Sequence, residues 1–180
     1  MFKKKLPILL VSLLLIVFVS AVFFMTLKTS YSDPTYEFTI NNTNGWKTLP
    51  LEADIYYSLG TKDKQNKTIS YVGISPLNHT KTANKNILRQ SFKDACDSNY
   101  KKAGLNGSRF TEVKINNLSG YLCFYEFKPT NIKASYYFKQ YSLINKDAKK
   151  YDYIISISYP KNNQSEEKKV NQIINGFSAF

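Results

Sequence analysis

Hydrophobic and polar residues alternate along several short stretches of the chain, a pattern typical of half-buried β-strands. The clearest stretch is residues 151–159, in which every second residue is tyrosine or isoleucine, and Pro160 ends it. The other predicted strands cover residues 36–40, 55–59, 68–75, 110–115, 121–127 and 135–144. Most connections between consecutive strands are short and polar, which favours antiparallel pairing.

The hydrophobic period lengthens to between three and four within residues 82–103, which predicts a long helix. Its apolar face carries Ile87, Leu88, Phe92, Ala95, Cys96 and Ala103. A shorter amphipathic helix is marked near the C-terminus by Val170, Ile173, Ile174 and Phe177. The order of elements therefore predicts an α+β fold, in which an antiparallel β-sheet packs with one long central helix and one C-terminal helix.

The N-terminal segment 6–27 contains 22 residues and no charge. At about 1.5 Å per residue, a helix of this length crosses a hydrocarbon core of roughly 30 Å. Lys3, Lys4 and Lys5 precede it, which predicts a cytoplasmic N-terminus and a domain outside the cytoplasm. Residues 1–28 are thus predicted to be a membrane anchor contacting lipid, residues 29–35 a linker, and residues 36–180 an extracytoplasmic domain, periplasmic or at the cell surface.

A cleaved signal peptide is the alternative, with a cut near Ala21 that would release the domain as a secreted protein. Such a cut would leave the apolar residues Val22, Phe23 and Phe24 at the new N-terminus. The apolar run also exceeds the usual signal length of about 7–15 residues. These two features favour the uncleaved anchor, and both alternatives place the domain outside the cytoplasm.

The net charge of +12 indicates affinity for anionic partners. Without Lys3, Lys4, Lys5 and Lys28, 21 basic and 13 acidic residues remain, a charge of about +8. The lysines are scattered and no nucleic-acid-binding motif occurs, so nucleic acid is not predicted as a partner. An envelope protein or polymer of unknown identity, or anionic lipid headgroups, fits better.

Two cysteines, Cys96 and Cys123, lie in the predicted extracytoplasmic domain. An even number of cysteines in an exported domain favours a disulfide. Cys96 falls on the apolar face of the long helix and Cys123 on a predicted strand face with Tyr121 and Tyr125, so a helix packed on that face would join them. Two separately buried thiols are the alternative.

Residues suited to catalysis are sparse. His79 is the only histidine, which leaves neither a catalytic triad nor a zinc site to propose. The carboxylates Glu37, Glu112 and Glu126 are dispersed over different strands. We therefore predict no catalytic, metal or cofactor site and no enzymatic activity; a cell-envelope hydrolase using these carboxylates is the alternative.

Aromatic residues are abundant, with 14 tyrosines and 12 phenylalanines. Four of them, Tyr136, Tyr137, Phe138 and Tyr141, cluster on one predicted strand. Core packing is one interpretation of this cluster. If the strand face is uncovered, these residues would instead form a possible binding surface.

The first predicted strand leads into Gly45-Trp46, and the last helix ends in Gly176-Phe177. With the long central helix and the strand meander, these features resemble the PsbP-like family over residues 36–180. The resemblance implies a non-enzymatic binding or assembly protein, here a membrane-anchored module of the bacterial cell envelope. A colonisation or stress factor, secreted after signal-peptide cleavage, is a further alternative.

Overall fold

A computed structural model describes residues 30–51, 54–78, 85–102, 105, 109–129, 133–145 and 151–180. The predicted anchor, residues 1–28, and His79 lie outside the described residues. Neither helix in the described part of the chain has the length and apolar character needed to cross a bilayer.

Ten strands and two helices make up the described fold, which confirms the α+β class. The strands are β1 (Ser30–Asp33), β2 (Phe38–Asn41), β3 (Lys47–Thr48), β4 (Tyr57–Lys62), β5 (Thr68–Asn78), β6 (Arg109–Ile115), β7 (Leu118–Phe127), β8 (Tyr136–Ile144), β9 (Tyr151–Pro160) and β10 (Phe177–Ala179). The helices are α1 (Lys85–Lys102) and α2 (Gln164–Gly176).

Seven strands form an antiparallel sheet in the order β3-β4-β5-β9-β8-β7-β6. Strands β6 to β9 are consecutive neighbours, as short hairpin connections require. Strand β9 then pairs with β5, which joins the two halves of the sequence in one sheet. A smaller antiparallel sheet has the order β1-β2-β10.

The two helices cover opposite faces of the large sheet. Successive residues of a strand point to opposite sides, so alternate side chains face one helix and the others face the second helix. One side, called here the α2 face, packs against α2 and the small sheet through Tyr153, Phe38 and Phe177. Their ring centroids lie 5.3–6.0 Å apart. All three side chains are buried, so this contact forms the centre of the core.

Helix α1 lies on the other side, called the α1 face, and contacts β7. Cys96 and Cys123 form a disulfide with their Cα atoms 5.7 Å apart, which confirms the predicted bridge. Phe92, one turn before Cys96, packs on Tyr121 with ring centroids 5.8 Å apart. The described residues include no free cysteine. One disulfide, a few aromatic contacts and an exposed ion pair between Arg89 and Glu112 of β6 therefore attach α1 to the sheet.

Helix α2 begins at an asparagine cap, where the Asn163 side chain accepts a hydrogen bond from the Glu166 backbone N–H at 3.2 Å. The Glu166 side chain turns inward and is 3 % exposed. It accepts hydrogen bonds from Thr61 and Ser70 and from the Lys169 ammonium at 2.6 Å. These contacts attach the start of α2 to strands β4 and β5.

Several strands differ from the sequence prediction; β4, for example, covers Tyr57–Lys62 rather than residues 55–59. Strand β1 lies within the predicted linker and pairs with β2, where Tyr31 is opposite Ile40. Strand β5 continues through Pro76 to Asn78, beyond its predicted end at residue 75. Strand β4 starts at Tyr57, opposite Ile74, so no β4 residue pairs with β5 at Pro76. On that side of β5, the backbone N–H that proline lacks is not needed for strand pairing.

Candidate binding surface

The four aromatic residues predicted as a possible binding surface all lie on β8, but they do not share a face. Tyr136 and Phe138 point to the α1 face, whereas Tyr137 and Tyr141 point to the α2 face, because side chains alternate along a strand. Tyr141 is buried, at 7 % exposure, and the other three are half-buried. The cluster in the sequence is therefore divided in space.

Tyr136 and Phe138 belong to the aromatic packing beside α1. Phe138 stacks on Tyr125 with ring centroids 4.8 Å apart, and Tyr125 meets Tyr100 of α1 edge-on at 5.3 Å. Aromatic pairs of this kind contribute about 0.5–1.5 kcal/mol beyond the area they bury. For these two residues, packing accounts for the aromatic side chain.

Tyr137 lies on the α2 face, close to the start of α2. Its ring centroid is 5.1 Å from that of Phe124 and 5.6 Å from that of Tyr159. Tyr159 is buried, whereas Tyr137 and Phe124 are half-buried. This part of the sheet therefore presents aromatic surface to solvent.

Three cationic side chains lie close to the Phe124 and Tyr137 rings. The Arg109 guanidinium carbon lies 5.9 Å from the Phe124 ring centroid, and the Lys139 ammonium lies 6.0 Å from the same centroid. The Lys161 ammonium lies 5.9 Å from the Tyr137 ring centroid. These distances are within the range of cation–π attraction. Arg109, Phe124, Tyr137, Lys139 and Lys161 are called the cationic surface below.

Only one of the three cations forms an ion pair with a described carboxylate. Lys161 binds Glu126 with an N–O distance of 2.6 Å. Among the described residues, no carboxylate oxygen lies within 4.0 Å of the Arg109 or Lys139 nitrogens. The cationic surface therefore carries positive charge that the described part of the protein does not neutralise by direct contact.

The pKa values of these groups follow from their surroundings. Burial lowers the pKa of Lys139, and the charge of Glu167 offsets only part of that effect. The hydrogen bond from Lys161 lowers the pKa of Glu126, and the same bond raises the pKa of Lys161. Both groups of the pair are thus held in their charged forms, whereas Lys139 bears its charge in a partly desolvated site.

The structure does not bring the predicted carboxylates together. Glu112 and Glu126 lie on opposite faces of the large sheet, and Glu112 pairs with Arg89 at 3.8 Å. Glu37 lies beside Tyr153, whose hydroxyl donates a hydrogen bond to the Glu37 backbone carbonyl. Tyr153 and Tyr159 stand near opposite ends of β9. Within the described ranges, no three Asp, Glu, His or Cys side chains are grouped as metal ligands.

Arg109 and Lys139 were not predicted from the sequence as members of a site. For Lys139 the sequence did carry a signal, because in the aromatic segment of β8 it lies on the same strand face as Tyr137 and Tyr141. For Arg109 the sequence carried no such signal, since its position beside Phe124 is known only from the register of β6 and β7.

Glu166 stands in the first turn of α2, where a carboxylate interacts favourably with the helix dipole. Its burial was not predicted, because it depends on hydrogen bonds from Thr61 and Ser70, about 100 residues earlier in the chain. No local pattern around Glu166 signals such distant donors.

No protein-family model matches the sequence, and no curated protein matches it. Solved structures do match. A protein of Bacteroides thetaiotaomicron aligns with a TM-score of 0.59 and 16% identity, covering 85% of this chain and 48% of that one. The present chain thus spans about half the length of that protein.

Two further structures align over most of both chains. Cyanobacterial PsbP (CyanoP) of Synechocystis sp. PCC 6803 has a TM-score of 0.58 at 8% identity, covering 84% of this chain and 92% of its own. LpqN of Mycobacterium tuberculosis, involved in cell envelope biogenesis, has a TM-score of 0.53 at 8% identity, with 84% of each chain covered. The resemblance to the PsbP-like family is confirmed at the level of the fold.

Proposed function

We propose that this chain is a non-enzymatic binding or assembly module of the bacterial cell envelope. In this proposal, residues 1–28 anchor it in the membrane and the domain is displayed outside the cytoplasm. The cationic surface is the observation that carries the proposal, because it joins half-exposed rings to two cations without a described ionic partner. Surfaces that combine aromatic side chains and arginine are frequent in binding interfaces.

Three further features support the location and the role. The uncharged segment 6–27 follows three lysines, as in a single-pass protein with a cytoplasmic N-terminus. The Cys96–Cys123 disulfide suits an oxidising compartment outside the cytoplasm. LpqN, which shares the fold, is involved in cell envelope biogenesis.

The test is a pull-down from native envelopes with the tagged, full-length chain. The double variant Arg109→Gln/Lys139→Gln alters the cationic surface. The matched control, Arg89→Gln/Lys93→Gln, also removes two charges, but from α1 side chains that pair with Glu112 and Asp97. Both protein and polymer are assayed in the eluate. We expect the partner to be retained by the control and lost by the surface variant.

Equal recovery with both variants, or recovery of no partner by the unaltered chain, would contradict the binding role. A chain lacking residues 1–28 tests the anchor separately, since loss of membrane association is expected on its removal. N-terminal sequencing of the mature protein distinguishes an uncleaved anchor from a cut near Ala21.

A further inference from the structure

Arg109, Phe124 and Lys139 lie side by side on three adjacent strands. Arg109 is the register partner of Phe124 across β6 and β7, and Phe124 is the register partner of Lys139 across β7 and β8. Neighbouring strands lie about 4.8 Å apart, so the two cations originate about 10 Å apart with the ring between them. Each cation reaches to within 6.0 Å of the ring centroid.

The nearby carboxylates already have other contacts. Glu126 binds Lys161 at 2.6 Å, and Glu167 accepts a hydrogen bond from the Tyr159 hydroxyl at 3.3 Å. Burial lowers the pKa of Lys139, so its charged form is held at a cost that a bound anion would reduce. The charge pattern of the site is therefore complementary to an anionic ligand.

We propose that Arg109, Phe124 and Lys139 bind a phosphate-bearing polymer of the cell envelope. The two cations contact successive phosphates, and the polyol or sugar backbone between them lies against Phe124 and Tyr137. This inference rests on the proposed binding function and deepens it by naming the class of ligand. The planar guanidinium of arginine matches phosphate oxygens with paired hydrogen bonds, and lysine supplies a point charge.

A polymer fits the geometry better than a single phosphate. Cations that originate about 10 Å apart, on either side of an aromatic ring, offer two contact points that a chain of phosphates can occupy together. A chain of phosphates reaches each cation in turn. The ring between the cations then lies against the uncharged part of the polymer.

A polymer also fits better than a headgroup of the bilayer that holds the anchor. The described chain begins at β1, where Tyr31 stacks on Tyr57 of β4 with ring centroids 3.8 Å apart. Strands β8 and β7 lie three and four strands from β4, about 14–19 Å across the sheet. The chain therefore enters the domain well away from the cationic surface.

The experiment is calorimetric titration of poly(glycerol phosphate) into the full-length chain in a zwitterionic detergent. We expect binding that weakens as the ionic strength rises and that excess inorganic phosphate inhibits. Arg109→Gln/Lys139→Gln is expected to weaken binding about tenfold or more, through loss of two charge-assisted hydrogen bonds. Arg89→Gln/Lys93→Gln is expected to change it less than about twofold, since it alters side chains of α1 on the opposite face of the sheet, whose ion pairs are exposed.

Absence of binding by the unaltered chain would overturn the inference, as would an equal loss in both double variants. Binding to phosphatidylglycerol vesicles without binding to the polymer would overturn the choice of a polymer. Arg109→Gln alone, at an exposed position, keeps the test valid if the double variant does not fold. If the envelope partner still depends on the cationic surface while the polymer does not bind, the proposed function stands and the ligand class is wrong.

Discussion

Glu166 shows at the scale of one residue how a buried charge is accommodated. Burial raises the pKa of this carboxyl, but the hydrogen bonds from Lys169, Thr61 and Ser70 outweigh burial and leave the pKa lowered. A buried carboxylate without such donors would destabilise the fold by several kcal/mol. The charge is thus tolerated because donors from two strands and one helix converge on it.

Replacing Glu166 with glutamine is expected to lower the free energy of unfolding by about 1–3 kcal/mol at neutral pH, because the charged hydrogen bonds are lost. Since the folded pKa lies below the unfolded one, the stabilisation is present above the unfolded pKa and is lost as pH falls through the folded pKa. Urea denaturation at several pH values measures both effects. Glu112→Gln, at an exposed site, is the control, and an equal loss in both would contradict the assignment.

Lys139 illustrates the opposite case, in which a charge lacks a described ionic partner. Lys139→Met is expected to raise the free energy of unfolding by about 1 kcal/mol, because a half-buried ammonium is replaced by an apolar side chain. Burial lowers the folded pKa of Lys139, so the gain is present below that pKa and shrinks as pH rises through it. Chemical denaturation at neutral and alkaline pH measures the gain, and a loss of stability would contradict this account.

Helix α1 shows at the scale of an element why a covalent bond matters. Among its described side chains, residues 87–102, only Cys96 is buried, while Phe92 and Tyr100 are half-buried. Ile87, assigned by its spacing to the apolar face, is 64% exposed. The apolar contact between α1 and the sheet is therefore small, and the disulfide holds the helix in place.

The double variant Cys96→Ala/Cys123→Ala is expected to lower the free energy of unfolding by about 3 kcal/mol, as the chain-entropy model gives for a loop of this size. Hydrogen exchange should increase first in α1, because little else attaches it to the sheet. Denaturation and exchange measurements check both expectations. The unaltered protein under reducing conditions should match the variant, and unchanged exchange in α1 would show that packing alone holds the helix.

At the scale of the whole molecule, the smaller sheet connects the beginning and the end of the described chain. Strand β2 pairs with β1 on one side and with β10 on the other. Gly176 permits the close approach of α2 to β2, since a Cβ atom there would lie 2.5 Å from the Asn41 carbonyl oxygen. Residues 30–33, within the predicted linker, thus join the smaller sheet of the domain.

A chain that begins at residue 36 is expected to be less stable than one that begins at residue 30. It lacks β1 and the stacking of Tyr31 on Tyr57, a loss of about 1–3 kcal/mol for a large half-buried aromatic side chain and its strand pairing. Thermal unfolding of the two chains measures the difference. Equal melting temperatures would indicate that β1 adds nothing to the domain.

The strands and helices with strong periodicity could be predicted because their pattern is local. Strand β9 and helix α2 are examples, since each carries regular apolar positions along one face. Strands β1, β3 and β10 have only two to four residues, too few to show a period. Their formation depends on partner strands, as when β10 pairs with β2 across more than 130 residues.

The sequence by itself determined the α+β class, the order of the main elements and the two cysteines available for a bridge, because periodicity and residue type are properties of the chain. Only the tertiary structure decided which side chains meet. It divided the aromatic residues of β8 between two faces, and it placed Arg109 and Lys139 on either side of Phe124. Register and sheet order set these contacts, and both arise from pairing between distant segments.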